Sequence, residues 1–90
     1  MEEFQVNIYK ALAHPIRLKI LKRLQDGETC VCRLTEELEF SQANLSQHLK
    51  ILKDAKLVNS KKCGMFMYYS LASEKIRDLI RLTEEIYNKD

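Results

Sequence analysis

Ninety residues with 46% apolar and 31% charged content, two glycines and one proline describe a single helix-rich domain and exclude a disordered tail. No uncharged apolar run approaches the ~20 residues of a membrane span. The start Met1-Glu2-Glu3 lacks the basic and apolar parts of a signal peptide, so the expected location is the cytoplasm, with no membrane partner. The net charge of +2 is unevenly spread: residues 41–65 hold five lysines against the single acid Asp54, and residues 28–40 hold four acids against Arg33. A local cationic patch of this kind is what nucleic acid selects, more than the total.

Along the chain, Phe4, Ile8, Ala11 and Leu12 recur at helical spacing and predict a helix over 2–12. His14-Pro15 ends it, and proline suits the first turn of the next helix, whose stripe of Ile16, Ile20, Leu21 and Leu24 runs to a stop at Asp26-Gly27. Thr29, Cys30 and Val31 suit a brief strand. Leu34, Leu38 and Phe40 then mark a compact helix, Val31 to Glu39, and Ser41 is a good N-cap for another that runs to Ala55. Two short helices separated by almost nothing form a helix-turn-helix over about 31–55. The strand-like runs Leu57 to Lys62 and Phe66 to Leu71 flank Cys63-Gly64-Met65 and predict a β-hairpin, a wing over about 57–71.

Ser73 caps a last helix, 73–88, in which Ile76, Leu79, Ile80, Thr83, Ile86 and Tyr87 recur at the 3–4 spacing of a helix seam. The predicted class is therefore mainly α with a small β-hairpin, a winged helix-turn-helix in the order α-α-β-α-α-β-β-α, as one domain over 1–90. A chain of this length buries a thin core. Burial of the last helix's seam against a second copy is the expected remedy.

On the helix after Ser41, at ~100° per residue, Leu49 and Leu52 fall within about 40° of Leu45 and fix the buried side. Ala43, Ser46, Gln47 and Lys50 lie opposite. Gln42 sits nearer the edge in the first turn, with Ser41 and Asn44 beside it, where a recognition helix presents side chains to base edges. Small and amide-bearing residues admit the helix to a groove and offer paired hydrogen bonds. Lys61 and Lys62 enter the hairpin turn, within reach of phosphates or a minor groove, and would set affinity more than sequence choice. His48, about 60° from Leu45, fits a hydrogen-bonded packing role better than a base contact. Any exposed helix is polar outside; the helix pair, a carboxylate-free outer face and a lysine-tipped hairpin in one stretch point to double-stranded DNA. A winged-helix module that binds protein is the alternative, distinguished by weak salt dependence. Two histidines leave no base and orienting partner for a cysteine nucleophile, and no βαβ pattern surrounds Cys30-Val31-Cys32, which argues against an enzyme.

These residues resemble the ArsR/SmtB family of winged-helix repressors. Residues 13–21, AHPIRLKIL, are similar to its AHPxRLxIL segment. Residues 41–52, SQANLSQHLKIL, are similar to its SQxxxSxHLxxL recognition helix, and Leu57-Val58, Gly64 and Tyr68-Tyr69-Ser70-Leu71 are similar to its wing. The resemblance implies a homodimer through the first and last helices, repression by operator binding, and release when an inducer binds.

Residues 28–34, ETCVCRL, resemble the family's metal box, in which two thiols open the helix before the recognition helix. A helix N-terminus stabilises thiolates, and soft thiolates bind a thiophilic metal or metalloid, which makes Cys30 and Cys32 candidate ligands. The third cysteine of the arsenic-sensing pattern is Thr35 here, and its aspartate is Arg33. Cys63 is expected about six residues along the returning strand from Cys30, roughly 20 Å away. The family's other metal site uses Asp and His on the last helix, which has no histidine here. Three cysteines in a reducing compartment are expected as free thiols. Metal or metalloid sensing, redox sensing and a packing role remain open for Cys30 and Cys32, as does oxidation of Cys63 in the wing.

Overall fold

His14 decides where the second helix begins. Its backbone is extended, its Nδ1 accepts the Ile16 N–H at 3.1 Å, and Pro15 follows as the first helical residue, where a missing N–H costs nothing. The computed structural model describes residues 1–88 and gives the order α1 (Glu2–Leu12), α2 (Pro15–Leu24), β1 (Thr29–Cys30), α3 (Val31–Leu38), α4 (Gln42–Asp54), β2 (Val58–Cys63), β3 (Phe66–Leu71) and α5 (Glu74–Tyr87). Five helices and a small sheet make a winged helix-turn-helix, as the residue pattern predicts. Among the described residues no helix is long and apolar enough to cross a membrane.

Side-chain caps set the helix starts. Ser41 Oγ accepts the Asn44 N–H at 3.2 Å, and Ser73 Oγ accepts the Lys75 N–H at 3.0 Å. α3 ends because Glu39 turns left-handed, with φ 55°, and only Glu39, Phe40 and Ser41 separate the two helices. The three strands are antiparallel in the order β1-β3-β2. Val58 lies opposite Leu71 and Cys63 opposite Phe66, so the hairpin closes on the two residues Gly64 and Met65. Gly64 takes φ +61°, a value the first position of such a turn requires and that a Cβ would strain.

The core is built on α4. Leu45, Leu49 and Leu52 are fully buried against Leu21 and Leu24 of α2, Leu34 of α3 and the Leu57-Val58 step into the wing. Ile76 and Ile80, expected in a seam between two copies, instead close this same core, Ile80 being only 3% exposed. The 3–4 spacing marks a stripe that must be buried without saying against what, and here the chain itself supplies the partner. The unpartnered apolar surface of α5 lies further on, at Leu82, Ile86 and Tyr87, 48%, 72% and 89% exposed.

Candidate nucleic-acid interface

With three leucines turned inward, α4 must turn its opposite side to solvent. Ser41, Gln42, Ala43, Asn44, Ser46, Gln47 and Lys50 are all exposed, and the first turn carries no acidic residue. The helix thus offers amide and hydroxyl groups on a surface that nothing else in the described chain covers. Lys50 rests on Asp54 at 2.9 Å and Lys61 on Glu28 at 3.5 Å. Exposed pairs of this kind contribute about 1 kcal/mol at most, so a phosphate displaces the carboxylate readily. Lys53 donates to Ser60 Oγ at 2.7 Å, bracing α4 against β2. Lys61 pairs with Tyr68 and Lys62 with Met67, so alternation turns the two lysines to opposite faces of the hairpin. Of these two, Lys61 is paired with Glu28 and Lys62 has no ion pair among the described residues.

Behind this surface lies a cluster that sequence reasoning identified only in part. Arg17 of α2 donates from Nε to the Ala11 carbonyl at 2.7 Å and sets Nη1 3.4 Å from His48 Nδ1. The His14 and His48 rings stack tilted, 4.6 Å between centroids. His48 is half-buried and packs as expected; its link to Arg17 and His14 leaves no periodic trace in the sequence. Burial above all, with positive charge at His14 and Arg17, holds the His48 imidazole below the ordinary histidine range. Unfolding therefore takes up a proton between the lowered value and the unfolded one near 6.5, so this contribution to stability is complete above that range and lost as pH falls through it. His48→Asn, which keeps an acceptor near the Nδ1 position, is expected to flatten the acid side of a melting-temperature profile. An unchanged slope between pH 7 and 5 would show that His48 does not carry it.

Cys30 and Cys32 are joined by a disulfide, which corrects the expectation of free thiols; only Cys63 is free, and it is exposed. The two sit on either side of Val31 where β1 becomes α3, with Cys30 Sγ accepting the Arg33 N–H at 3.3 Å, so the turn itself brings the sulfurs together. The expected separation of Cys63 is corrected as well. Cys30 lies opposite Tyr68 and Cys63 opposite Phe66, two positions apart along β3 and on the same face of the sheet. Two strand spacings and two residues of rise put their Cα atoms about 12 Å apart, not 20. The error came from anchoring β1 without knowing how far β2 runs past it. Thr35, at the position of the third cysteine in the arsenic-sensing pattern, has a buried Oγ1 with no hydrogen-bond partner among the described residues.

Of the residues expected at a dimer seam, Phe4, Thr83, Ile86 and Tyr87 are exposed, Ile8 and Leu79 are half-buried, and Ile76 and Ile80 are internal. Val6, Tyr9 and Leu82 add to the exposed apolar surface. Their signal was present, as apolar residues off the core stripe of their own helices. Leu12, Leu18, Leu79, Ile80 and Thr83 line a shallow hollow of about 220 Å³, which links α1, α2 and α5 into one apolar side.

Residues 14–60 match the family described as bacterial regulatory protein, arsR family. The chain is 48% identical over 79 residues to an arsenical resistance operon repressor of Bacillus subtilis, covering 87% of this chain and 73% of that protein. Among solved structures it is similar to HlyU from Vibrio cholerae, with TM-score 0.85 and 38% identity over 96% of this chain and 94% of that one. It is also similar to a homodimeric winged helix-turn-helix DNA-binding domain from Mycobacterium bovis, with TM-score 0.90 and 29% identity, covering 97% of this chain and 81% of that one.

Proposed function

The chain belongs to the ArsR family of bacterial regulatory proteins, transcriptional regulators built on a winged helix-turn-helix, and from that premise we propose that it is a cytoplasmic homodimeric repressor released from its operator by an inducer. The observation that carries this reading is the uncovered outer side of α4, with Gln42, Ser46 and Gln47 exposed beside a wing that offers Lys62. Gln42 and Gln47 form paired hydrogen bonds with base edges in the major groove, Ser41, Ala43, Asn44 and Ser46 let the helix approach, and Lys50, Lys61 and Lys62 hold phosphates. Phe4, Ile86 and Tyr87, with Leu79 and Thr83, form the seam to the second copy.

Binding to a duplex carrying the chain's own upstream sequence, measured against a scrambled duplex over a salt series, tests this. Gln47→Ala is expected to lower the specific-to-nonspecific ratio by ~10-fold or more. Lys62→Ala is expected to weaken both duplexes alike and to reduce the salt slope by about one. Equal behaviour of the two variants would overturn the division of roles, and an affinity indifferent to salt would favour a protein partner.

The inducer class we propose is a thiophilic metal or metalloid. The name of the Bacillus subtilis relative, an arsenical resistance operon repressor, supports it. So do two sulfurs at the opening of α3, where the helix N-terminus favours thiolate. Once the disulfide is reduced, Cys30 and Cys32 fit two bonds to a soft ion; among the described residues no group of three or more His, Cys, Asp or Glu stands ready to hold one. The disulfide favours a second reading, in which oxidation of the pair is itself the signal. Arsenite added to reduced protein, compared with oxidant alone, separates the two, and Cys30→Ser with Cys32→Ser removes both.

A further inference from the structure

We propose that Cys32, Met65 and Met67 form a site for a soft monovalent cation of the Cu(I) or Ag(I) class, clamping the tip of the wing to the start of α3. The proposal rests on the inducer reading above and names a donor set and an ion class for it. An open groove of about 520 Å³ runs between the wing and the helix-turn-helix, and all three sulfur-bearing side chains line it. Strand alternation agrees with this: Met67 shares its face of β3 with Tyr69, which lines the groove together with Cys32, while Tyr68 and its partner Cys30 lie on the other face.

Thiolate and thioether donors together select soft d10 monovalent ions over zinc, calcium or magnesium. Methionine suits such a groove because three rotatable bonds let its sulfur adapt to an ion without moving the backbone. Met65, Phe66 and Met67 are 92%, 54% and 36% exposed and together make an apolar patch at the wing tip, the kind of surface that marks an interaction site. Thr35, whose Oγ1 is the buried oxygen without a partner, lines the same groove one turn after Cys32. Gln42 and Ser46 line it as well, so an ion held here sits beside the side chains that would read the duplex.

The chemistry balances simply. A dithiol reductant takes up the Cys30–Cys32 disulfide bond, ending as its own disulfide and leaving two protein thiols. The cation then replaces the proton of the Cys32 thiol, which goes to solvent, while the two thioethers bind without losing one.

The test uses reduced, full-length protein with 13C-labelled methionine methyls and Ag(I), a diamagnetic probe, under anaerobic conditions. The chain has three methionines, so Met1 is an internal control. One equivalent of Ag(I) is expected to shift the Met65 and Met67 methyl resonances and leave Met1 in place. Met65→Leu/Met67→Leu, which keeps the apolar volume, is expected to lower Ag(I) affinity at least ~10-fold in competition with a chromophoric chelator, with arsenite affinity unchanged. Cys63→Ser should leave both affinities unchanged and Cys32→Ser should lose both. Unmoved Met65 and Met67 methyls, or a double leucine variant that binds Ag(I) as tightly as the parent, would overturn this site while leaving the thiol pair as an arsenite site. Binding of neither ion by the reduced protein would overturn the inducer reading and this site together.

Discussion

Glutamate in place of Ile86 is expected to leave each chain folded while converting the protein to monomer and lowering operator affinity by about 100-fold or more. Ile86 is 72% exposed on the last turns of α5, so in a single chain the charge meets water and costs little. In the proposed seam it would be placed among the apolar residues a single chain leaves exposed, Leu82 and Tyr87 of α5 and Phe4, Val6 and Tyr9 of α1. An unpaired charge left buried costs about 3 to 5 kcal/mol, which is a hundredfold or more in a dimer constant. A monomer holds one recognition helix where a dimer sets two about one helical turn of DNA apart, so operator affinity falls with the dimer. Sedimentation velocity and far-UV circular dichroism read the two halves of this expectation separately. Ile80→Glu is the contrasting variant: at 3% exposure its charge enters the chain's own core, and loss of the folded signal is expected at any protein concentration. A variant at Ile86 that stays dimeric at micromolar concentration would place the seam elsewhere.

The contrast between Ile80 and Ile86 also marks where sequence reading stops. Both belong to one run of apolar residues at 3–4 spacing, and periodicity reports only that a stripe seeks burial. On α4 the same rule sufficed, because Leu45, Leu49 and Leu52 have α2 and α3 on the inward side and nothing opposite, so the polar side had to be the free one. Element order, the Ser41 and Ser73 caps and the glycine turn were legible for the same reason, since each depends on a few adjacent residues. What was not legible needed register or rotamer. The distance from Cys30 to Cys63 follows from how far β2 overlaps β3, the disulfide from how Val31 turns out of β1, and the link from Arg17 to His48 from packing between residues far apart in the chain. The wing tip shows a further limit: Met65, Phe66 and Met67 read as strand and turn, yet a two-residue turn leaves all three exposed.

Leu45→Ala is expected to lower stability by about 2 to 5 kcal/mol, from lost transfer energy and an unfilled cavity. Its side chain is fully buried on the helix that carries the reading surface, and its neighbours Leu49, Leu52 and Leu34 are held by helices on several sides, so collapse onto the space is hindered. For a domain of this size that amounts to a fall of roughly 10 to 40 °C in the melting temperature, read at fixed protein concentration because dimerisation adds to the apparent value. Specific binding at low temperature should change far less, since Gln42 and Gln47 lie on the other side of the helix and the folded fraction still presents them. This separates the two ways in which a change on α4 can abolish repression. Leu45→Ala acts through the folded population and is rescued by cooling, whereas Gln47→Ala acts through the contact and is not. If Leu45→Ala lost operator discrimination at a temperature where circular dichroism shows it fully folded, the two sides of α4 would not be independent. The assignment of one side to the core and the other to the duplex would then need revision.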